Sequence, residues 1–496
     1  MKTKNIAIYT FVAFIAFGLP ACKDFVDLKP ISSATTANAY NTAPDAEAAL
    51  TGVYDSFASE YYIWDNVIFS DVVSDNYYAG GDDQNIIAVD KLNIVPTNGR
   101  LFNIWSQLYN AIAKANLVLQ KVPEIKDVNL DKNNRRSQLI GEAFFLRAYH
   151  YYQLVNLFGG VPLITAPVAS TQTEDTNMPR ATEEEVYAQI IKDLELAVTN
   201  LPDTYIGDAS ITKARATKGA ANALLAKVYA QKPTKEYNKV LQYANAVIAS
   251  PAGYQLLNNY DFLFDGAHYN NAESILEIQF SGTPEGNFGP SLLLPPSKVG
   301  HTWRKFVVPS KNLIAAFDTE GDVVRKNSSF LFENAPWVDE YWGNNLNSSI
   351  PFAFKWRSAP SWDGSTNRQY LLRLADIILL KAEAMNELDQ SPALVKVELD
   401  KIRTRVNLAG TTALNKGQLR TAILNERRLE FAQEAQRWND LKRYGVAVEV
   451  MNALNEIDLR TSTKTNYSAV PTDLLFPIPQ QELNRNSKLT QNPGYN

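Results

Sequence analysis

A stripe of small residues limits what this chain can fold into. In residues 215–230, RATKGAANALLAKVYA, the positions Ala216, Gly219, Ala223, Ala226 and Ala230 follow one another at intervals of 3, 4, 3 and 4. That spacing puts all five on one face of a helix. Small side chains there let a second helix come close, and Leu224 and Val228 widen the apolar surface. The same spacing recurs at Phe145, Ala148, Tyr152 and Val155, and again at Ala375, Ile378, Ala382 and Met385. Each of these stretches is followed, after a turn, by a second helical pattern. Two architectures bury such faces: stacked helix pairs in a repeat scaffold, or ordinary core helices in an all-α domain.

Apolar periodicity also predicts helices over 45–59, 105–119, 138–158, 182–201, 237–248, 370–388, 394–405 and 416–450. Gly159-Gly160 and Pro162 stop the third of these. Thr182 and Glu185 are spaced as a capping box for the fourth. Residues 70–84, SDVVSDNYYAGGDDQ, read as a loop. Between 252 and 367 helical periodicity fades, apart from 311–317, and Gly, Pro, Asn and aromatic residues dominate. SILEIQF at 274–280 reads as a short strand. Five of the eight tryptophans fall in this region: Trp303, Trp337, Trp342, Trp356 and Trp362. So long an irregular stretch is functional or disordered, and its aromatic content argues against disorder.

The chain of 496 residues is 45% hydrophobic and 20% charged, which suits a globular protein with a large core. Its net charge of −5, with no basic block, argues against a nucleic-acid surface. At the N-terminus, Lys2 and Lys4 precede an apolar run over 5–18 that is too short to span a bilayer. Leu19-Pro20-Ala21-Cys22 follows, and Cys22 is the single cysteine of the chain. The arrangement resembles a bacterial lipoprotein signal: residues 1–21 a cleaved leader, Cys22 the lipidated residue, and 22–40 a polar tether. With one cysteine, no intrachain disulfide holds the fold.

Several stretches together resemble the SusD/RagB family of Bacteroidota outer-membrane nutrient-binding lipoproteins. CKDFVDLKP (22–30) looks like the family's lipidated start, and FLRAYHYYQLVNLFGGVPL (145–163) resembles its second-repeat helix and exit. RATKGAANALLAKVYA matches the third-repeat helix. YLLRLADIILLKAEAMNE (370–387), ERRLEFAQEAQRWNDLKR (426–443) and FPIPQQEL…LTQNPGY (476–495) match later signatures, in family order. Ala435 departs from the pattern, where members commonly carry Gly. The resemblance implies a mainly α fold of tetratricopeptide-like helix pairs forming a superhelical scaffold. It places helical repeats at about 41–250 and 370–450 of a single domain over 41–496, with a loop-rich region at about 251–369 and short strands packed on them. It also implies a surface-exposed lipoprotein that binds oligosaccharide and delivers it to a SusC-type TonB-dependent outer-membrane transporter.

Catalytic and metal motifs are missing. His150, His268 and His301 stand in no metal or triad spacing, and His150 reads as a packing histidine beside an apolar stripe. No zinc-protease, nucleophile-elbow or phosphate-loop pattern occurs. Asp82-Asp83 after Gly80-Gly81 reads as a polar turn rather than a calcium loop. Glu426, Arg427, Arg428, Glu430, Glu434, Arg437 and Asp440 read as charges pairing along one helix, not as an acid–base cluster. No catalytic residue, metal or cofactor is expected. A carboxylate pair for glycoside hydrolysis is a spatial property, so a secreted glycosidase stands beside a peptide- or protein-binding helical adaptor as an alternative function.

Sugars present apolar C–H faces and rings of hydroxyls, so a glycan platform needs exposed aromatic faces flanked by polar side chains. Two segments have that chemistry. One is 70–84, with Asp75, Asn76, Tyr77, Tyr78 and Asp82. The other is 337–368, with Trp337, Tyr341, Trp342, Trp362 and Arg368. Trp105 and Trp438 sit in helical patterns and read as core, while Trp303 and Trp356 fit either role.

Overall fold

The computed structural model describes residues 40–168, 177–207, 209–300, 303–334, 349–458 and 463–495. Cys22 and the leader, and the ligand candidates Trp337, Tyr341 and Trp342, lie outside the described residues. Helices dominate on both sides of the loop-rich region. In chain order the principal ones are α1 (Ala43–Tyr54), α2 (Gly99–Lys121), α3 (Arg135–Phe158), α4 (Glu183–Asn200), α5 (Lys218–Gln231), α6 (Tyr237–Ile248), α7 (Lys311–Glu320), α8 (Leu374–Glu387), α9 (Pro392–Arg405), α10 (Lys416–Glu430) and α11 (Arg437–Tyr444). From α1 to α6 each packs on the next, α6 packs on α8, and α8 on α9 and α10. Among the described residues, no helix is long and apolar enough to cross a membrane.

Local chemistry sets the helix ends. Thr182 Oγ1 accepts from Glu185 N at 3.2 Å while the Glu185 carboxylate accepts from Thr182 N at 2.8 Å, so the capping box is made. Thr42 and Asp45 build a second one at α1. At the other end of α3, Gly159 adopts a φ of 71°, and a left-handed residue there ends the helix.

The small-residue helix α5 differs from the expectation of one buried face. Every residue from Gly219 to Ala230 is buried. Helices α4 and α6 flank it, and α3, α8 and α11 also touch it, so it is a central strut rather than an amphipathic layer. Close approach explains Gly219: a Cβ there would lie 2.4 Å from the Tyr254 hydroxyl.

Short antiparallel strand pairs tie distant segments together. β1 (Tyr77–Tyr78) pairs with β3 (Val308–Pro309), β2 (Ser274–Ile278) with β6 (Gln369–Arg373), and β4 (Phe330–Asn334) with β5 (Ser349–Ala353). The strand expected at 274–280 is present as β2. The loop expected at 70–84 is more ordered than its composition suggests. It follows wide helical turns at Tyr61–Asp65 and Ile68–Val72, runs into β1, and ends at a short helix, Gln84–Asp90. The helix expected to run from 416 to 450 is broken between α10 and α11. Gln433 and Ala435 adopt φ of 66° and 55°, and the N–H of Ala435 donates to Asp71 Oδ2 at 2.8 Å.

The charges around that break are paired, but mostly across elements rather than along one helix. Glu430 accepts from Arg325 at 3.0 Å and Arg373 at 2.6 Å, and also pairs with Arg405. Arg427 bridges Asp376 and Asp440 at 2.8 and 2.9 Å, and Lys227 of α5 joins the same Asp376. Arg373 and Arg405 both reach Glu273 beside β2. Burial alone would raise the Glu430 carboxyl, but the three guanidinium groups outweigh it and hold it well below the carboxylate range. A carboxylate locked this way neither donates nor accepts a proton near neutral pH.

Candidate ligand-binding surface

Four of the proposed ligand residues are interior. Asp75 is 3% exposed, Asn76 and Tyr77 are 1% exposed, and Tyr78 is 5% exposed. Asp75 faces Arg437 and Arg428, the latter at 3.0 Å, and Asn76 Oδ1 accepts from Arg428 Nε at 2.8 Å. Tyr78 joins Trp303, Val308, Ile350 and Phe352 in a small apolar cluster. This corrects the expectation for these four residues. Their side chains are engaged inside the fold. The signal missed in the sequence was long-range: the arginines that neutralise Asp75 lie in α10 and α11.

Asp82 is exposed, in a tight turn. Gly81 beside it has a φ of 76°, and a Cβ there would lie 2.1 Å from the Arg304 carbonyl oxygen. Asp83 caps the helix Gln84–Asp90 and pairs with Arg100 at 2.7 Å. Among the described residues, no three His, Cys, Asp or Glu side chains gather as a metal site would need. Trp105 and Trp438 are core, at 4% and 2% exposure, and Trp303 and Trp356 are buried too.

Trp362 lies on the surface, while Arg368 is partly buried, its side chain 20% exposed. Trp362 is 50% exposed. Its loop is pinned by backbone contacts: Ser291 Oγ donates to the Trp362 carbonyl at 2.9 Å, and Asn287 N donates to the Ser365 carbonyl at 2.8 Å. Asn367 Oδ1 accepts from the N–H groups of Arg357 and Ser358 at 3.0 and 2.7 Å.

A second loop, 259–271, is fastened to the first. Arg357 grips Asp261 through both guanidinium nitrogens, at 2.6 and 3.0 Å. Arg368 donates to Glu277 Oε1 at 2.8 Å and lies over the Tyr269 ring, 4.5 Å from its centroid. Burial raises the pKa of the half-buried Tyr269 hydroxyl, opposed by hydrogen bonding with Thr366 and by the charge of Arg368. Nearby, Phe262 stacks on His268 with centroids 3.8 Å apart and planes 15° apart, and both are exposed. Asp265 Oδ2 orients the imidazole at 2.6 Å from Nδ1. Thr283 Oγ1 donates to Asp363 Oδ1 at 3.2 Å from a third loop.

These loops are joined through the Arg357–Asp261, Arg368–Tyr269 and Thr283–Asp363 contacts, and they carry the exposed rings of Trp362, Phe262 and His268. That is the chemistry a sugar ring requires: an apolar surface to stack on and fixed polar groups for its hydroxyls. The sequence reading names Trp362 and Arg368 as candidates and does not name Phe262, His268 and Tyr269, whose rings are exposed or half-buried. The available signal was composition, because 258–271 is as rich in Asn, Asp and aromatics as 70–84.

Known proteins resemble this chain end to end. A family profile described as "Starch-binding associating with outer membrane" matches residues 24–230, and one described as "SusD family" matches 324–495. SusD-like protein P38 of Formosa agariphila is 28% identical, over 100% of both chains. The starch-binding protein SusD of Bacteroides thetaiotaomicron is 24% identical, over 84% of this chain and 83% of its own length. Among solved structures, a laminarin binding SusD-like protein superposes with a TM-score of 0.76 and 28% identity, covering 92% of this chain and 100% of the other. With the helical succession and the matched segments in the same order along the chain, the comparison identifies this chain as a member of the SusD/RagB family.

Proposed function

We propose that this chain is a surface lipoprotein that captures oligosaccharides and hands them to a SusC-type TonB-dependent transporter of the outer membrane. The observation that carries the reading is the surface around Trp362, held on a fold shared with a laminarin binding relative. Trp362 and Arg368 contact the sugar, with Phe262, His268 and Tyr269 beside them. Trp337, Tyr341 and Trp342, which lie outside the described residues, and the exposed Asp82 are further candidates for contact with the sugar. Residues 1–21 form the leader, Cys22 carries the lipid, 22–40 form the tether, and 41–496 form one body. Lipidation confines the binder to the plane of the transporter, which raises effective concentration without new contacts.

The glycan is held and not cut. The paired carboxylates around Glu430 support this reading, since their charges are spent on arginines. Calorimetry against laminarin and starch oligosaccharides tests the capture, with a Kd on the order of micromolar to millimolar expected. The recovered glycan should be intact. A folded chain that retains no member of a broad glycan panel would sink the proposal. For the partner, Cys22→Ala should leave the membrane fraction, and the native lipoprotein should co-purify with a large β-barrel in mild detergent.

A further inference from the structure

Strand β2 reads SILEI, and every one of its residues is buried. Glu277 is the charged residue among them, and its side chain has 0% exposure. An ionised carboxylate in such a place is costly unless it is paired and hydrogen-bonded. The register of β2 against β6 shifts between Leu276 and Glu277, and an irregularity of that kind re-aims a side chain.

The principal partners of Glu277 come from the two ring-bearing loops. Its Oε1 accepts from the N–H of Asn270 at 2.9 Å and from Arg368 Nη1 at 2.8 Å. Gln279 Nε2 adds a longer bond at 3.2 Å. Asn270 follows Tyr269 in the chain and holds a φ of 56°, while Arg368 lies over the Tyr269 ring. One oxygen atom therefore fixes both the backbone beside Tyr269 and the cation above its ring. Lys213 also feels the charge of Glu277, but its Nζ donates to the Ser274 carbonyl at 2.5 Å and lies 4.5 Å from the centroid of Tyr254. Asp376, by contrast, pairs with Lys227 of α5 and Arg427 of α10, which belong to the helical frame.

We propose that Glu277 is a positioning residue of the glycan surface: it holds Arg368 over Tyr269 and keeps the 259–271 loop in register with the loop that carries Trp362. This role rests on the reading of that surface as the glycan site. Glu277 touches no sugar itself, because its side chain is enclosed. It acts by fixing contact groups before the ligand arrives, which lowers the ordering cost of binding. The Arg357–Asp261 pair fastens the same two loops at another point, so loss of the Glu277 charge should loosen the surface without releasing it.

Calorimetry on the full chain, run beside thermal melts, tests the proposal with the oligosaccharide that wild type binds most tightly in a panel containing laminarin and starch fragments. Glu277→Gln keeps the size and an acceptor for Asn270 but loses the charge that holds the guanidinium. It should weaken binding by about tenfold at a temperature where the variant is folded. In an Arg368→Gln background the same substitution should weaken binding by less than about twofold further, because its effect runs through Arg368. If Glu277→Gln does not fold, Glu277→Asp withdraws the carboxylate by one methylene and should weaken binding by at least about threefold. A folded variant that binds as wild type does would overturn the positioning role and leave the glycan reading standing, as would full additivity with Arg368→Gln. If wild type binds no member of the panel, the glycan reading itself fails and the positioning role falls with it.

Discussion

Arg437 grips Asp75 through Nε at 2.7 Å and Nη2 at 2.8 Å, across 362 positions of sequence. Arg428 flanks the same carboxylate at 3.0 Å. Burial would raise the pKa of Asp75, but the two guanidinium groups outweigh it and hold it at about 2. Removing the carboxylate leaves two buried cations short of a partner, so Asp75→Ala should cost about 3–5 kcal/mol. The folded pKa lies below the unfolded value, so this contribution is complete above the ordinary Asp range. It is lost as pH falls from about 4 toward 2. Denaturant titrations at several pH values check both statements, and Asp75→Asn should flatten the acid limb.

His150 gives a second pH dependence in a different window. Its Nδ1 lies 2.7 Å from the Tyr62 hydroxyl, and rings of Phe57 and Tyr149 pack around it. Burial, then the positive charge of Lys114, pushes its pKa down to about 3. The unfolded chain takes up a proton near pH 6.5 and the folded chain does not. Stability attributable to His150 is therefore full above pH 6.5 and falls below it, by about 1.4 kcal/mol per pH unit. Comparing wild type with His150→Phe between pH 7 and 5 isolates this slope, which the variant should lack.

Ala435 sits at a φ of 55°, in the region where a Cβ crowds the following carbonyl. Its N–H bond to Asp71 needs only the backbone. Ala435→Gly should therefore stabilise the chain by about 1 kcal/mol, the relieved left-handed cost outweighing the added backbone entropy. A denaturant midpoint lower than that of wild type would show that the methyl packs more usefully than the strain costs.

Tyr77 and Trp362 should behave oppositely. Tyr77→Ala empties a buried ring site and should cost about 3–5 kcal/mol, with any loss of glycan binding secondary to unfolding. Trp362→Ala alters an exposed ring and should move stability by less than about 0.5 kcal/mol while weakening glycan binding at least tenfold. Thermal melts run beside calorimetry separate the two. Equal melting losses in both variants would place Trp362 in the core.

The features legible in the sequence are local ones. The Thr182–Glu185 capping box, the Gly159 stop and the apolar periodicities of α2, α3 and α6 depend on neighbours within a few positions. The mutual pairing of the charges at 426–440 was foreseen in kind but not in geometry, because partners such as Arg325, Arg373 and Asp376 come from other segments. The burial of Tyr77 and Tyr78 was illegible for the same reason: β1 finds its partner β3 more than two hundred positions away. The break after Glu430 carried no Gly or Pro to announce it. Gln433 and Ala435 adopt left-handed backbone that their side chains do not advertise. Trp362 and Arg368 were proposed as ligand residues from composition, and the similarly composed 258–271 loop was not singled out, because the contacts that fasten it to Arg357 and Arg368 come from about a hundred positions away.

The strut α5 and the long-range grip of Arg437 on Asp75 also bear on the order in which the molecule assembles. Neighbouring helices such as α5 with α6, and α8 with α9, join over short loops, and such contacts close early at small entropic cost. Contacts spanning hundreds of residues close late. Asp75 with Arg437, Asn76 with Arg428, and β1 with β3 all belong to that late group. The helical frame can therefore form piecewise, while the segment 75–78 takes its place only when the two halves of the chain have come together.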